Sequence, residues 1–189
     1  MAVKNIFSLE GIDGSGKSTQ HNLVRKHLKN SGIELATPTN PSHNILGEFI
    51  RTNVRELDPW LRNQLFILDI EHENRVIAND RTVDAVLWDR YIDSFYASNQ
   101  EMTIAEAEEL TAALDQPLRT FVLDVPVVVI MEDRKEVHDH HTIPDWLEMK
   151  RQRYVDLAEA YPARIEMIDG TIEKEAIAQH IAGVIMESL

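Results

Sequence analysis

The chain has 189 residues, 43% of them hydrophobic, and a net charge of −13 from 19 basic and 32 acidic side chains. That size and balance fit one soluble domain with a single core, and the acidic surplus excludes a general nucleic-acid binder, which needs basic surface to displace counterions from phosphates. There is no cysteine, which excludes disulfides and thiolate metal sites; no apolar run approaches the ~18 residues of a membrane span, and the expected location is cytoplasmic.

Taken in chain order, short apolar runs predict strands over 5–9, 33–37, 84–88, 120–125 and 164–168. Longer patterns of helical period lie between and after them, over 17–30, 45–55, 59–79, 91–113, 144–160 and 172–187. This alternation predicts an α/β domain over 1–189, with a five-stranded parallel sheet covered by helices on both faces. Ligands of such sheets bind at the carboxyl ends of the strands. The segment RKEVHDHHTI (134–143) is charged, poor in apolar residues and followed by Pro144, which marks it as a candidate lid loop. The acidic residues Glu106, Glu108, Glu109 and Asp115 read as a solvated helix face.

GIDGSGKST at 11–19 matches G-x-x-x-x-G-K-[ST] and stands between an apolar run and a helical run, where a phosphate loop must stand. Its glycines let backbone N–H groups converge, and the next helix adds its positive N-terminal end. Gly11, Asp13, Gly14, Ser15, Gly16, Lys17, Ser18 and Thr19 are therefore the candidate nucleotide-binding set. Lys17 would reach the outer phosphates of ATP, and Ser18 would ligate Mg²⁺.

DAVLWDRY at 84–91 is a strand ending in Asp-Arg. A carboxylate at that tip, Asp89, suits the Mg²⁺ shell opposite Ser18. The planar fork of Arg90 suits the phosphoryl group in transfer, because it binds phosphate oxygens and keeps its charge.

With these motifs in order, the chain resembles the thymidylate kinases. LEGIDGSGKSTQ (9–20), GEFIR (47–51), LDPWLRNQLFILD (57–69), DRYIDSFYAS (89–98), TFVLDVP (120–126) and the terminal IDG (168–170) carry the resemblance. It implies a P-loop kinase fold with a short lid, ATP and Mg²⁺ as cofactors, a small-molecule nucleotide acceptor and a homodimer. It also implies that Asp13 faces the acceptor sugar, Phe66 stacks on the base, Tyr91 lies near the sugar and Arg90 sits at the acceptor phosphate. Arg134 would be the lid cation, with Lys135 in reserve.

The chain also departs from the resemblance. Thr39-Asn40-Pro41 stands where bacterial relatives have Arg-Glu-Pro, so the arginine that grips the acceptor phosphate is missing. Four residues past Phe66, many relatives have an arginine that reads the 4-oxygen of thymine; here it is Ile70, which cannot donate. Asn40, Arg51, Asp69 and Ile70 therefore join Asp13, Phe66, Arg90 and Tyr91 as candidate acceptor-site residues, with His43, Glu73 and Arg75 as neighbours that could compensate. His138, Asp139, His140 and His141 could in principle bind a metal, although the pattern favours a solvated loop.

The reading is transfer of the γ-phosphate of ATP to a (deoxy)nucleoside monophosphate, dTMP or a related pyrimidine nucleotide. Catalysis would be electrostatic, through Lys17, Arg90, Arg134 and Mg²⁺. A nucleoside kinase on the same scaffold stays open and would need Glu10 or Asp13 as a base. A non-catalytic ATP-binding module is the third reading.

Overall fold

The computed structural model describes residues 5–133 and 144–189. Its elements are β1 (Ile6–Gly11), α1 (Lys17–Asn30), β2 (Leu35–Ala36), α2 (Ile45–Asn53), α3 (Pro59–Ala78) and β3 (Ala85–Asp89). They continue as α4 (Asp93–Ser98), α5 (Ile104–Thr111), β4 (Arg119–Asp124), α6 (Val127–Asp133), α7 (Pro144–Ala160), β5 (Ile165–Asp169) and α8 (Lys174–Glu187). The five strands form one parallel sheet in the order β2-β3-β1-β4-β5.

Successive residues of a strand face opposite sides of a sheet, and here both sides are covered. Phe7, Leu9, Leu87, Phe121 and Leu123 meet Val24 and Leu28 of α1 and Ile177, Ile181 and Ile185 of α8. On the other face Ile6, Val86 and Trp88 meet Ile67 and Ile70 of α3 and Phe95 of α4. Val122 and Ile165 extend that face beneath Tyr154 and Leu157 of α7. This is the doubly covered parallel sheet expected from the sequence, and register puts its chemistry at one edge. Leu9 lies opposite Asp89 and Gly11 opposite Leu123, so the loops after β1, β3 and β4 open side by side.

Two elements differ from expectation. The pattern over 91–113 is two helices, because Asn99 turns extended (φ −121°) and Thr103 starts α5 afresh. The Thr103 hydroxyl accepts from the Glu106 N–H at 3.2 Å, and the Glu106 carboxylate accepts from the Thr103 N–H at 2.7 Å. Glu106 is thus half of a capping box and more than a solvated face. The second difference is α6, whose Val127-Val128-Val129-Ile130 run has poor helix propensity. Pro126 starts it, its carbonyl accepting from the N–H groups of Val129 and Ile130, and Val127, Ile130 and Leu147 pack together beneath it.

Candidate active site

The loop after β1 closes tightly on its own backbone. At Gly11 (φ +137°) a Cβ would come within 2.8 Å of the Leu123 carbonyl and 2.7 Å of Ser15 Oγ, so no side chain fits there. Gly16 is the N-cap of α1 at φ +92°, a left-handed conformation that glycine adopts without penalty. Lys17 folds back over the loop, its Nζ donating to the Gly11 and Ile12 carbonyls at 3.0 Å each. Ser15 Oγ is buried without a hydrogen-bond partner among the described residues. A buried hydroxyl left over beside converging backbone amides fits a phosphate cradle. Burial pulls the Lys17 ammonium down to about 7, with Arg90 adding to the effect and Asp13 and Asp89 opposing it.

Arg90 joins this loop to the rest of the site. Its backbone sits at φ +69°, unusual for a residue with a side chain. Such a conformation costs about 1–3 kcal/mol and is retained where the surroundings fix it. It swings the chain out of β3 while the Arg90 N–H still donates to the Leu9 carbonyl at 3.2 Å. The side chain then reaches Asp13, Nη2 to Oδ1 at 2.5 Å. Burial works against the Arg90 charge, but Asp13, Tyr154, Glu10 and Asp89 outweigh it and hold the guanidinium ionised.

Beyond this pair lies a cavity of about 500 Å³. Asp13, Arg90 and Lys150 form its charged end, and Asn40, Arg51 and Phe66 are also in its wall. Phe66 stands edge-on to Phe95, ring centres 6.4 Å apart at 85°. Arg51 donates to the Pro41 carbonyl at 2.8 Å and pairs with Glu48 at 2.6 Å. Asn40, beside the cis bond to Pro41, donates to the Phe66 carbonyl at 3.2 Å. Gly47 lets α2 lie close beneath that loop, since a Cβ there would collide with the Ser42 carbonyl.

Lys150 is the residue that motif reasoning missed. It is 5% exposed, and its Nζ lies 3.9 Å from Asp13 Oδ2. Burial, and then Arg90, pull its ammonium down to about 8, against Asp13 and Glu10. A signal was present: Leu147, Lys150, Tyr154 and Leu157 are the buried positions of α7, and their 3-4-3 spacing puts a lysine on the apolar stripe.

Three candidates for the acceptor site do not reach the cavity. Ile70 is 0% exposed and packs with Ile6, Val86, Trp88 and Tyr91 in the core. Asp69 is equally buried, accepting from Ser42 N–H and Oγ at 2.6 Å each and from Asn40 Nδ2 at 3.3 Å, so it ties down the loop after β2. Tyr91 stacks on Trp88 and donates to the Asp115 carbonyl at 3.0 Å, inside the core. For the two residues of α3 the cause is shared: the helix turns Phe66 to the cleft and Ile70 to the sheet, though they are one turn apart, whereas Tyr91, just past β3, is held in the core by its stacking on Trp88. Glu73 holds Asn44 at 2.8 Å and exposed Arg75 lies near Glu71, away from the cavity.

Ser18 is exposed on the first turn of α1, and Asp89 ends β3 half-buried. Arg134, Lys135 and the histidine cluster at 138–141 lie outside the described residues. Among the described residues no group of three or more His, Asp or Glu side chains could hold a metal on its own, and no described helix is long and apolar enough to cross a membrane.

A parallel sheet with a phosphate loop after its central strand, a strained Asp-Arg tip beside it and a cavity opening from both defines a P-loop phosphotransferase. The thymidylate kinase family model matches residues 9–181. A thymidylate kinase of Kosmotoga olearia is 32% identical over 93% of this chain and 92% of its own length. A probable thymidylate kinase of Methanospirillum hungatei is 31% identical over 94% of this chain and 91% of its own. The chain belongs to the thymidylate kinase family, and it is an ATP-dependent nucleoside monophosphate kinase.

Proposed function

We propose that the acceptor is a pyrimidine deoxynucleoside monophosphate, dTMP first, seated in the cavity with its phosphate toward Arg90 and its base on Phe66. The observation that carries this reading is the charge at the Asp13–Arg90 end of the cavity. Among the described residues Asp13 is the one carboxylate that lines it, against Arg90 and Lys150, and such an end suits a phosphate far better than a neutral hydroxyl.

The same geometry disfavours a nucleoside acceptor, whose hydroxyl would want a base. Glu10 is fully buried and already accepts from the Tyr91 N–H at 2.6 Å, Ser94 Oγ at 2.6 Å and Tyr154 OH at 2.8 Å. Burial, with Asp93 adding to it, pushes its carboxyl above the usual range, which works against an ionised base. Asp13 is engaged by Arg90. A phosphate acceptor needs no base, because its oxygen is already nucleophilic. Asp13 Oδ1 accepts from Arg90 and its Oδ2 lies 3.9 Å from Lys150 Nζ, and the acceptor sugar would sit against this carboxylate.

Ser18 and Asp89 would hold Mg²⁺, which takes few protein ligands and keeps phosphate oxygens and water for the rest. When bound it would neutralise developing charge on the phosphates. Lys17 would leave the loop carbonyls for the phosphates, Arg90 would stabilise the group in transfer, and Arg134 would serve as lid cation. A homodimer is supported by apolar residues left exposed along α3, namely Leu61, Leu68 and Val76, with Phe49 of α2 beside them. Light scattering at micromolar concentration tests it: a mass near 43 kDa, about twice the 21.7 kDa chain, is expected.

The test of the acceptor reading is ADP release with ATP·Mg²⁺ and a panel of monophosphates and their nucleosides. Turnover with dTMP and none with thymidine is expected; turnover confined to nucleosides would overturn it.

A further inference from the structure

We propose that Lys150 is a second cation for the acceptor's phosphate, delivered from α7 in place of the arginine that the loop after β2 lacks. The inference rests on the acceptor reading above and adds to it a residue that no motif assigns.

Its place in the fold is the first argument. A lysine on the buried stripe of a helix is expensive to desolvate, so it needs a partner. Lys150 is flanked on that stripe by Leu147 and Tyr154, and its nearest carboxylate, Asp13, is already bonded to Arg90 at the shorter distance of 2.5 Å. Asp13 thus faces two cations, with Glu10 the other acidic group near Lys150, and Lys17, opposed by Asp13 and Asp89, belongs to the same neighbourhood. An entering phosphate dianion would give Lys150 a closer anionic partner.

The second argument is direction. Lys150 lines the cavity together with Arg90, and both cationic groups converge on Asp13, which lines it too. The loop after β2 contributes only Asn40 and Pro41 to that wall. Asn40 has its Nδ2 committed to Phe66 and Asp69. Charge absent from one side of the cavity is thus present on another.

The charge of Lys150 is also conditional. The groups around it are Glu10 of β1, Asp13 of the phosphate loop, Lys17 of α1 and Arg90 beyond β3, with Arg51 and Arg62 across the cavity. Burial outweighs its carboxylate neighbours and leaves the ammonium titrating near 8 in the empty site. Below that value it is charged and grips phosphate; above it the grip is lost. The acceptor's phosphate is already a dianion above pH 7, its second pKa being about 6, and does not itself produce a change in that range.

The experiment measures dissociation constants of dTMP and thymidine by calorimetry without ATP, for the wild-type protein, Lys150→Met and Lys150→Arg. Loss of a charge-assisted contact should weaken dTMP about 10- to 100-fold in Lys150→Met and leave thymidine within about twofold. Lys150→Arg should keep most of the dTMP affinity. From pH 7.5 to 9.5 the wild-type affinity for dTMP should fall, while Lys150→Arg stays flat, because arginine does not titrate there. Equal losses for dTMP and thymidine would make Lys150 structural and overturn the proposal, as would unchanged dTMP binding in Lys150→Met. A wild-type protein that binds thymidine and no monophosphate would instead overturn the acceptor reading, and this inference with it.

Discussion

The phosphate loop and the acceptor cavity meet at Asp13 and Arg90, yet they are assembled differently. The loop is nine consecutive residues, 11–19, whose conformation is set by its own backbone. The cavity wall is gathered from the phosphate loop, the loop after β2, α2, α3, the β3 tip, α4 and α7. A contiguous backbone device tolerates few alternatives, because glycine at Gly11 and Gly16 is required by contact and by φ. A wall of separate side chains can lose a cation in one place and regain it in another. The contrast teaches that donor chemistry is fixed by local sequence, whereas acceptor chemistry is fixed by packing.

The largest effect should come from the donor side. Lys17→Ala should lower kcat by about 10³-fold or more with the fold intact, since placed charge carries most of the catalysis. Steady-state kinetics beside circular dichroism checks this, and a near-normal rate would break the assignment. Arg90→Ala touches both sides, and should cost about 10²–10³-fold in kcat/KM for the acceptor. An effect confined to ATP would mean that Arg90 belongs to the donor alone.

Stability sharpens the comparison further. Asp69→Ala removes the acceptor of the Ser42 and Asn40 hydrogen bonds, and should destabilise by about 2–4 kcal/mol in a denaturant titration. An unchanged midpoint with altered base preference would return Asp69 to the acceptor site. Lys150→Met should do the opposite and stabilise the empty protein at pH 7 by about 1–3 kcal/mol, because a desolvated cation is replaced by an apolar chain of similar length. Lys17 and Lys150 release their protons near 7 and 8 when folded, against 10.5 when unfolded. The unfolded chain therefore binds more protons across that window, and their contribution makes stability rise with pH from about 7 to about 10. Melting temperatures at pH 8, 9 and 10 should climb less steeply in Lys150→Met than in the wild type, the smallest effect of the five.

Much of the frame was legible in the sequence. Helix 17–30 stands as predicted, and α3 and α7 match 59–79 and 144–160 to within a residue, each having a start signal. Asp58 caps α3 ahead of Pro59, and Pro144 opens α7. The division at 99–103 is signalled by Thr103-x-x-Glu106, but apolar spacing continues across it and masks the break. Helix α6 was not legible, since four β-branched residues carry no helical signal.

The site divides the same way. Gly11 to Thr19, Asp89 and Arg90 could be named because a strand followed by a turn is a local pattern. Asp69 and Ile70 lie off the cavity because periodicity says which residues share a face, and cannot say whether that face meets a sheet or a cleft; Tyr91 is placed by the resemblance alone, and packing on Trp88 takes it into the core. Lys150 went unnoticed for the converse reason. Its stripe was visible, but only packing brings it to Asp13 from a segment 137 residues further along the chain.

The most direct test is a single comparison of ADP release from ATP·Mg²⁺ with dTMP and with thymidine, at equal concentrations and pH 7.5. Turnover with dTMP alone is predicted, since the cavity presents Arg90 and Lys150 to a phosphate, while its carboxylate Asp13 faces both cations and Glu10 is buried and bonded. Turnover with thymidine alone would contradict the account, for the acceptor would then be activated by a base and not gripped by its charge.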